Sequence, residues 1–250
     1  MGLFIGQNLV TIKEVDSTNS YLKQLLSNST PLVEGTVIMA DAQIKGRGQQ
    51  ENIWHSEPGK NLTFSLLLTP TFLAISQQFD LTRVISLGVF NALEPILGDK
   101  LKIKWPNDIY YADRKLAGIL IETHLQGSKI KDAVVGIGLN VNQETFAAGA
   151  GNAISLKQIL QKNYDLKILL AEICGHIEVN YLKLKAGKFI FIRNAYLRRL
   201  YWLHTLKEFK SDGLTFTGSI VNVKDDGLLV VENNYKQNEF SLKQIEFLNK

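Results

Sequence analysis

At 250 residues, 45% of them hydrophobic and 21% charged, the chain has the make-up of a globular protein large enough for one big domain or a big and a small one. A net charge of +4 and a pI near 9.0 favour an anionic partner, and a single cysteine, Cys174, excludes an internal disulfide framework and any multi-cysteine zinc site. No run approaches the roughly 18 apolar residues of a membrane span, and MGLFIGQNLV lacks the positive flank of a signal peptide, so a soluble protein of the reducing cytoplasm is expected.

In chain order, DSTNSYLKQLL (16–26) begins with the capping residues Asp16 and Ser17 and places Tyr21, Leu22, Leu25 and Leu26 at helical spacing. GTVIMA and NLTFSLLLT read as buried strands. Between them lies AQIKGRGQQENIWHSEPGKNL, with Gly46, Gly48 and Gly59 among three cations. A two-residue hairpin would close the strands at lower entropic cost, so this long basic loop points to an anion-docking role. FDLTRVISLGVFNALEPIL (79–97) predicts a helix with Leu81, Val84, Ile85, Gly88 and Ala92 on one face. LKIKW alternates like a strand and stops at Pro106. KLAGILIET and AVVGIGLNV are β-rich and central, joined by the turn HLQGSKI. Residues 155–203 are predicted helical, with Leu166, Leu170, Ile173, Ile177 and Leu184 in one stripe. After about His204, short alternating strands are broken at Asp212-Gly213 and Asp226-Gly227, which predicts successive hairpins and a small β-barrel. The expected class is α+β, with a first domain over 1–203 and a small β domain over 204–250.

Three stretches can carry chemistry. Gly46 and Gly48 flank Arg47, so backbone N–H groups and a guanidinium can face one anion, although a solvated surface loop fits the pattern equally. In KWPNDIYYADRKLAG, Asn107 and Asp108 turn the chain and Lys115 opens an apolar strand. That lysine needs a counter-charge, either Asp108 or a bound carboxylate or phosphate. In VVGIGLNVN, Gly136 and Gly138 share a strand face and leave a hollow for another backbone or a flat ligand, with Asn140 continuing that face. Walker A and dinucleotide fingerprints are incomplete, the four histidines show no ligand spacing, and no Ser-His-Asp arrangement emerges.

Taken together, DSTN, AQIKGRGQ with Trp54 downstream, KWPND, RKLAGILIE and GIGLNVN, in this order over residues 16–142, resemble the biotin protein ligases. The resemblance implies a mixed sheet flanked by helices, of the class II aminoacyl-tRNA synthetase/biotin ligase-like kind, followed by an SH3-like β-barrel. It implies ATP and biotin as substrates with Mg2+, and biotinyl-5′-AMP as intermediate. The acceptor would be a lysine of the biotin carboxyl carrier domain of a biotin-dependent carboxylase. Carried over by motif, Ser17, Thr18, Asn19 and Gln43 would line the biotin site, closed by Arg47, Gly48 and Gln49. Lys115 would contact the biotin carboxylate and the α-phosphate, sharing the catalytic role with Arg47. On the ATP side would stand Arg47, Trp54, Asn107, Asp108, Gly118, Gly138 and Asn140, with no metal ligands assigned. The loop would open for substrates and order over a labile anhydride.

Two features depart from the family pattern. Gln49 stands where the family often has arginine, which lowers the loop's charge. Only about 15 residues precede DSTN, so a monofunctional ligase without a DNA-binding domain is expected. A homodimer is compatible with the family, and no membrane partner is expected. The rival readings are a lipoate ligase or transferase, which would lack GRGQ and KWPND, and a non-catalytic biotin sensor, which would have no need of an α-phosphate site.

Overall fold

The structure, a computed structural model, describes residues 2–28, 32–48, 52–147 and 151–248. Its centre is a seven-stranded mixed sheet built from β1 (Leu9–Val15), β2 (Val37–Gln43), β3 (Leu62–Leu68), β4 (Leu101–Lys104), β5 (Asp108–Tyr111), β6 (Arg114–Gln126) and β7 (Lys129–Leu139). The strand order is β1-β2-β3-β7-β6-β5-β4, with only β1 and β2 parallel. All of β3 is buried, because both faces of the sheet are covered there. Phe64, Leu66 and Leu68 point into the main core, and Leu67 points the other way to meet Leu22 of α1 (Thr18–Ser27), Ile38 and Val134.

The main core is closed by α2 (Gln78–Leu97) and, after the short α3 (Leu156–Leu160), by α4 (Leu166–Lys185) and α5 (Phe189–Arg198). The sequence predicts an amphipathic α2, yet Leu81, Val84, Ile85, Leu87, Val89, Phe90 and Leu93 are buried around its whole circumference. The stretch Ile75–Lys100 is, by length and composition, apolar enough to cross a membrane, against the expectation that none is. Its apolar character serves the core: the helix lies between the sheet and α4. Gly88 allows that approach, since a Cβ there would collide with Ile177 of α4.

The helical stretch 155–203 divides into three helices, and the expected stripe lies within α4. Ser155 and Gln158 form a capping box on α3, which ends at Gln161 in a left-handed conformation. Asp165 restarts the chain, its carboxylate accepting from the N–H groups of Lys167 and Ile168 at 2.8 and 3.0 Å. The edge strand β1 was not anticipated. It is mostly exposed and carries Lys13 and Glu14, so its alternation lacks a buried side to stand out against.

The C-terminal strands β8 (Leu206–Ser211), β9 (Leu214–Val223), β10 (Leu229–Asn233), β11 (Lys236–Phe240) and β12 (Glu246–Phe247) form a five-stranded antiparallel SH3-like sheet, ordered β11-β10-β9-β8-β12. Both Asp-Gly pairs fall at its turns, and a third turn at Asn234-Tyr235 closes the β10–β11 hairpin. This sheet is joined to the N-terminal part by one hydrophobic cluster containing Leu101, Ile103 and Leu200 as well as Phe209, Ile220 and Val231. It is also joined by a buried ionic cluster. Asp80 accepts from Arg83 at 2.6 Å and from Arg193 at 2.7 Å, and Arg83 also reaches the backbone carbonyls of Val223, Lys224 and Asp225.

Candidate active site

One face of the sheet explains the site. Cross-strand register puts Thr63, Gly138 and Gly118 in one row, Ser65, Gly136 and Leu120 in the next, and Leu67, Val134 and Glu122 in a third. Helix α1 packs on the third row and, through Asn19, on Gly136. The Gly138–Gly118 end is left as the floor of a cleft of about 440 Å³. The hollow predicted from the glycine spacing exists and is filled from within the chain. The Trp54 indole lies over Gly138 so closely that a Cβ there would overlap it, and a Cβ on Gly118 would stand 3.2 Å from the ring. The indole N–H is buried without a hydrogen-bond acceptor. An unpaired donor over a bare glycine floor is costly to maintain and fits a position that a ligand completes or displaces.

The loop carrying Trp54 folds back on itself. Arg47 and Ile53 form a β-bridge, the Gly48 N–H donates to Asn52 O at 2.6 Å, and the Trp54 N–H donates to Gly46 O at 3.0 Å. At the other rim, Lys115 Nζ stands 2.7 Å from Asp108 Oδ2 and 6.0 Å from the centre of the Trp54 ring. Both side chains are about one-third exposed, at 34% and 27%, so the pair can exchange partners with a ligand. Asn107 is buried and donates to Ile119 O at 2.5 Å, fixing the turn that presents Asp108. Lys104 also lines the cleft, held against the rings of Tyr110 and Phe247 at 4.7 and 5.0 Å. Burial pushes its pKa down, the Asp108 carboxylate opposes that shift, and Lys115 adds to it.

The third wall is a polar chain. The Gln43 side-chain oxygen accepts from the Thr18 N–H at 2.8 Å, so a residue at the end of β2, and not the Ser17 side chain, satisfies the start of α1. The Asp16 carboxylate is turned away to Lys45 at 3.2 Å. Ser65 Oγ lies 2.7 Å from Thr18 Oγ1 and 2.6 Å from Asn19 Oδ1. Asn19 in turn donates to Glu122 Oε2 at 2.8 Å.

Of the residues singled out in the sequence, Ser17, Thr18, Asn19, Gln43, Arg47, Gly48, Trp54, Asn107, Asp108, Lys115, Gly118 and Gly138 all line this one cleft. Gln49 lies outside the described residues. Asn140 does not reach the cleft: it is buried, and its amide donates to Ile154 O at 3.1 Å, pinning the segment before α3 to the end of β7. Three contributions escaped the sequence reading. Lys104 is a strand residue in the cleft wall, and Glu122 is a strand residue just outside the cleft that pairs with Arg47 at its rim. Leu242, Ile245, Glu246 and Phe247 line the cleft from the C-terminal sheet, and nothing in their local pattern points there.

Against known proteins, the Biotin/lipoate A/B protein ligase family model matches residues 11–140. The bifunctional ligase/repressor BirA of Bacillus subtilis is 30% identical over 233 residues, 92% of this chain and 71% of that protein. The human biotin–protein ligase is 31% identical over 138 residues, 53% of this chain and 19% of that one. Among solved structures, the biotin protein ligase from Aquifex aeolicus in complex with biotin and ATP matches with a TM-score of 0.81 at 30% identity, over 98% of this chain and 100% of that one.

Proposed function

Because the chain belongs to the biotin/lipoate A/B protein ligase family, we infer that it is a biotin–protein ligase. It activates biotin with ATP and transfers it to protein. In the first step a biotin carboxylate oxygen attacks the α-phosphorus of ATP, giving biotinyl-5′-AMP and releasing pyrophosphate. In the second, an acceptor lysine amine attacks the acyl carbon of the mixed anhydride and AMP leaves. Neither step needs a covalent enzyme nucleophile. The protein has to hold two anions together, neutralise the charge that builds up between them and keep water out.

The observation that carries the assignment of roles is Lys115, poised over the glycine floor with a partly exposed counter-ion 2.7 Å away. In this reading Lys115 leaves Asp108 to bridge the biotin carboxylate and the α-phosphate, and acts as a point charge on the transition state. Ser17, Thr18, Asn19 and Gln43 bind the biotin head group. Arg47 and Gly48, with Gln49 beyond them, close over the carboxylate and phosphate. Trp54 either stacks on the adenine or packs the ordered loop. Asn107, Asp108, Gly118 and Gly138 shape the nucleotide side, and Asn140 supports it from behind. Mg2+ would enter with the ATP phosphates and offset their charge; among the described residues no cluster of three His, Cys, Asp or Glu is assigned to it. The acceptor is a biotin carboxyl carrier domain, and the single buried thiol, Cys174, suits the cytoplasm.

Pyrophosphate release tests the reading. Purified protein with Mg-ATP is given biotin in one tube and lipoate in another. Release with biotin alone is expected. Release with lipoate alone would move the chain to the lipoate branch, and silence in both with tight biotin binding would make it a sensor.

A further inference from the structure

Glu122 closes the apolar run of β6, on the face that carries Gly118 and Leu120. Both oxygens of its carboxylate are engaged. Oε1 accepts from Lys23 at 2.7 Å, and Oε2 accepts from both Asn19 at 2.8 Å and Arg47 at 2.7 Å. Burial alone would push this carboxyl up. The hydrogen bonds from Lys23 and Asn19 and the charges of Arg47 and Lys23 outweigh it, so the group titrates below the usual carboxylate range and is ionised at neutral pH. One oxygen therefore joins a residue of α1 at the cleft wall to the guanidinium of the loop.

The position of this pair matters. Arg47 lines both the cleft and a neighbouring groove, whereas Glu122 lines only that groove, with Ser241 and Lys243. Arg47 is thus drawn toward the outer side of the rim by a carboxylate that does not itself face the ligand space. The Arg47 side chain is 40% exposed and Glu122 26%, which makes the pair weak enough for an anion in the cleft to break.

We propose that Glu122 is the resting counter-ion of Arg47, a positioning residue that holds the loop arginine on the rim until an anionic ligand in the cleft takes it over. The proposal rests on the role given above to Arg47. Ligand and Glu122 then compete for one guanidinium, and Asn19, which shares the carboxylate oxygen, makes that competition sensitive to how the cleft wall is occupied.

The test uses the intact protein and two readouts. Trypsin must take a free arginine side chain into its specificity pocket, so cleavage after Arg47 reports release of the guanidinium directly. Cleavage after Lys45, paired with Asp16 at 3.2 Å, supplies an internal reference for general loop motion. In the ligand-free Glu122→Gln variant, the ratio of Arg47 to Lys45 cleavage should rise about threefold, the scale of one partly exposed ion pair. An unchanged ratio would overturn the proposal whatever the protein's substrate is. In the pyrophosphate assay, the same variant should show a KM for biotin or ATP lowered about threefold, with the change in KM and not in kcat. That change should vanish when Glu122→Gln is made in an Arg47→Gln background. A raised KM, or a change that persists without Arg47, would mean that Glu122 serves the fold or the ligand by another route. Should Glu122→Gln fold poorly, Glu122→Asp, which shortens the reach by one methylene, should raise the cleavage ratio in the same direction.

Discussion

The protein holds two groups of charges of almost the same composition in opposite conditions. At the junction with the C-terminal sheet, Asp80 and Arg83 are 0% and 1% exposed, Arg83 is shared between Asp80 and backbone carbonyls, and the outer arginine, Arg193, bridges Asp80 and Asp225. At the cleft, Lys115 with Asp108 and Arg47 with Glu122 are a quarter to two-fifths exposed, and each cation has a single carboxylate partner among the described residues. A buried, saturated ion has nowhere else to go, and losing its partner leaves an uncompensated charge. A half-exposed ion gains little from its partner and is free to exchange it. Burial and the number of partners, more than residue type, separate the charges that hold this fold from those positioned to act.

Substitutions can break that contrast. The largest expected effect is on stability: Asp80→Ala leaves the buried Arg83 without a carboxylate and Arg193 with Asp225 alone, and should cost about 3–5 kcal/mol in urea unfolding. A loss below 1 kcal/mol would erase the distinction between the two groups. Next comes Lys115→Ala, which should cut adenylate formation about 100- to 1,000-fold, with the melting temperature unchanged. If the melting temperature falls in step with activity, Lys115 belongs with the structural group. Gly138→Ala places a methyl where the Trp54 indole now lies. Trp54 sits on a loop and can yield, so the expected result is about tenfold weaker ligand binding by titration and little change in unfolding.

The smallest effect is electrostatic. The folded-state pKa of Glu122 is lowered, so its stabilisation is present above the ordinary carboxylate value and is lost as pH falls through the lowered one. Wild type should therefore exceed Glu122→Gln by up to about 1 kcal/mol at pH 7, and the two should converge in acid. A gap that persists in acid would assign the difference to packing.

What could be read beforehand follows the same physics. Same-face glycines, a lysine entering a strand and a long basic loop violate local rules for plain secondary structure, so each stood out and each lies at the cleft. The strands that carry them alternate or are solidly apolar and were legible for that reason. The edge strand β1 was hidden because neither of its faces is fully buried. The break of 155–203 into three helices turned on caps at Ser155 and Asp165, which the apolar stripe masked. Asn140 continues the glycine face by parity, yet β7 ends at Leu139 and parity lapses with it. Glu122 was legible in principle, two residues beyond Leu120 and four beyond Gly118. Phe247 and its neighbours were not, since only the packing of the C-terminal sheet brings them to the cleft.

Whether this cleft joins biotin to AMP is decided by identifying what it makes and holds. The protein is incubated with biotin and Mg-ATP, passed rapidly through a desalting column and analysed by mass spectrometry for the bound small molecule. Biotinyl-5′-AMP is expected, retained by the wild type and absent from Lys115→Ala. Recovery of unreacted biotin or ATP alone from folded wild-type protein would contradict it.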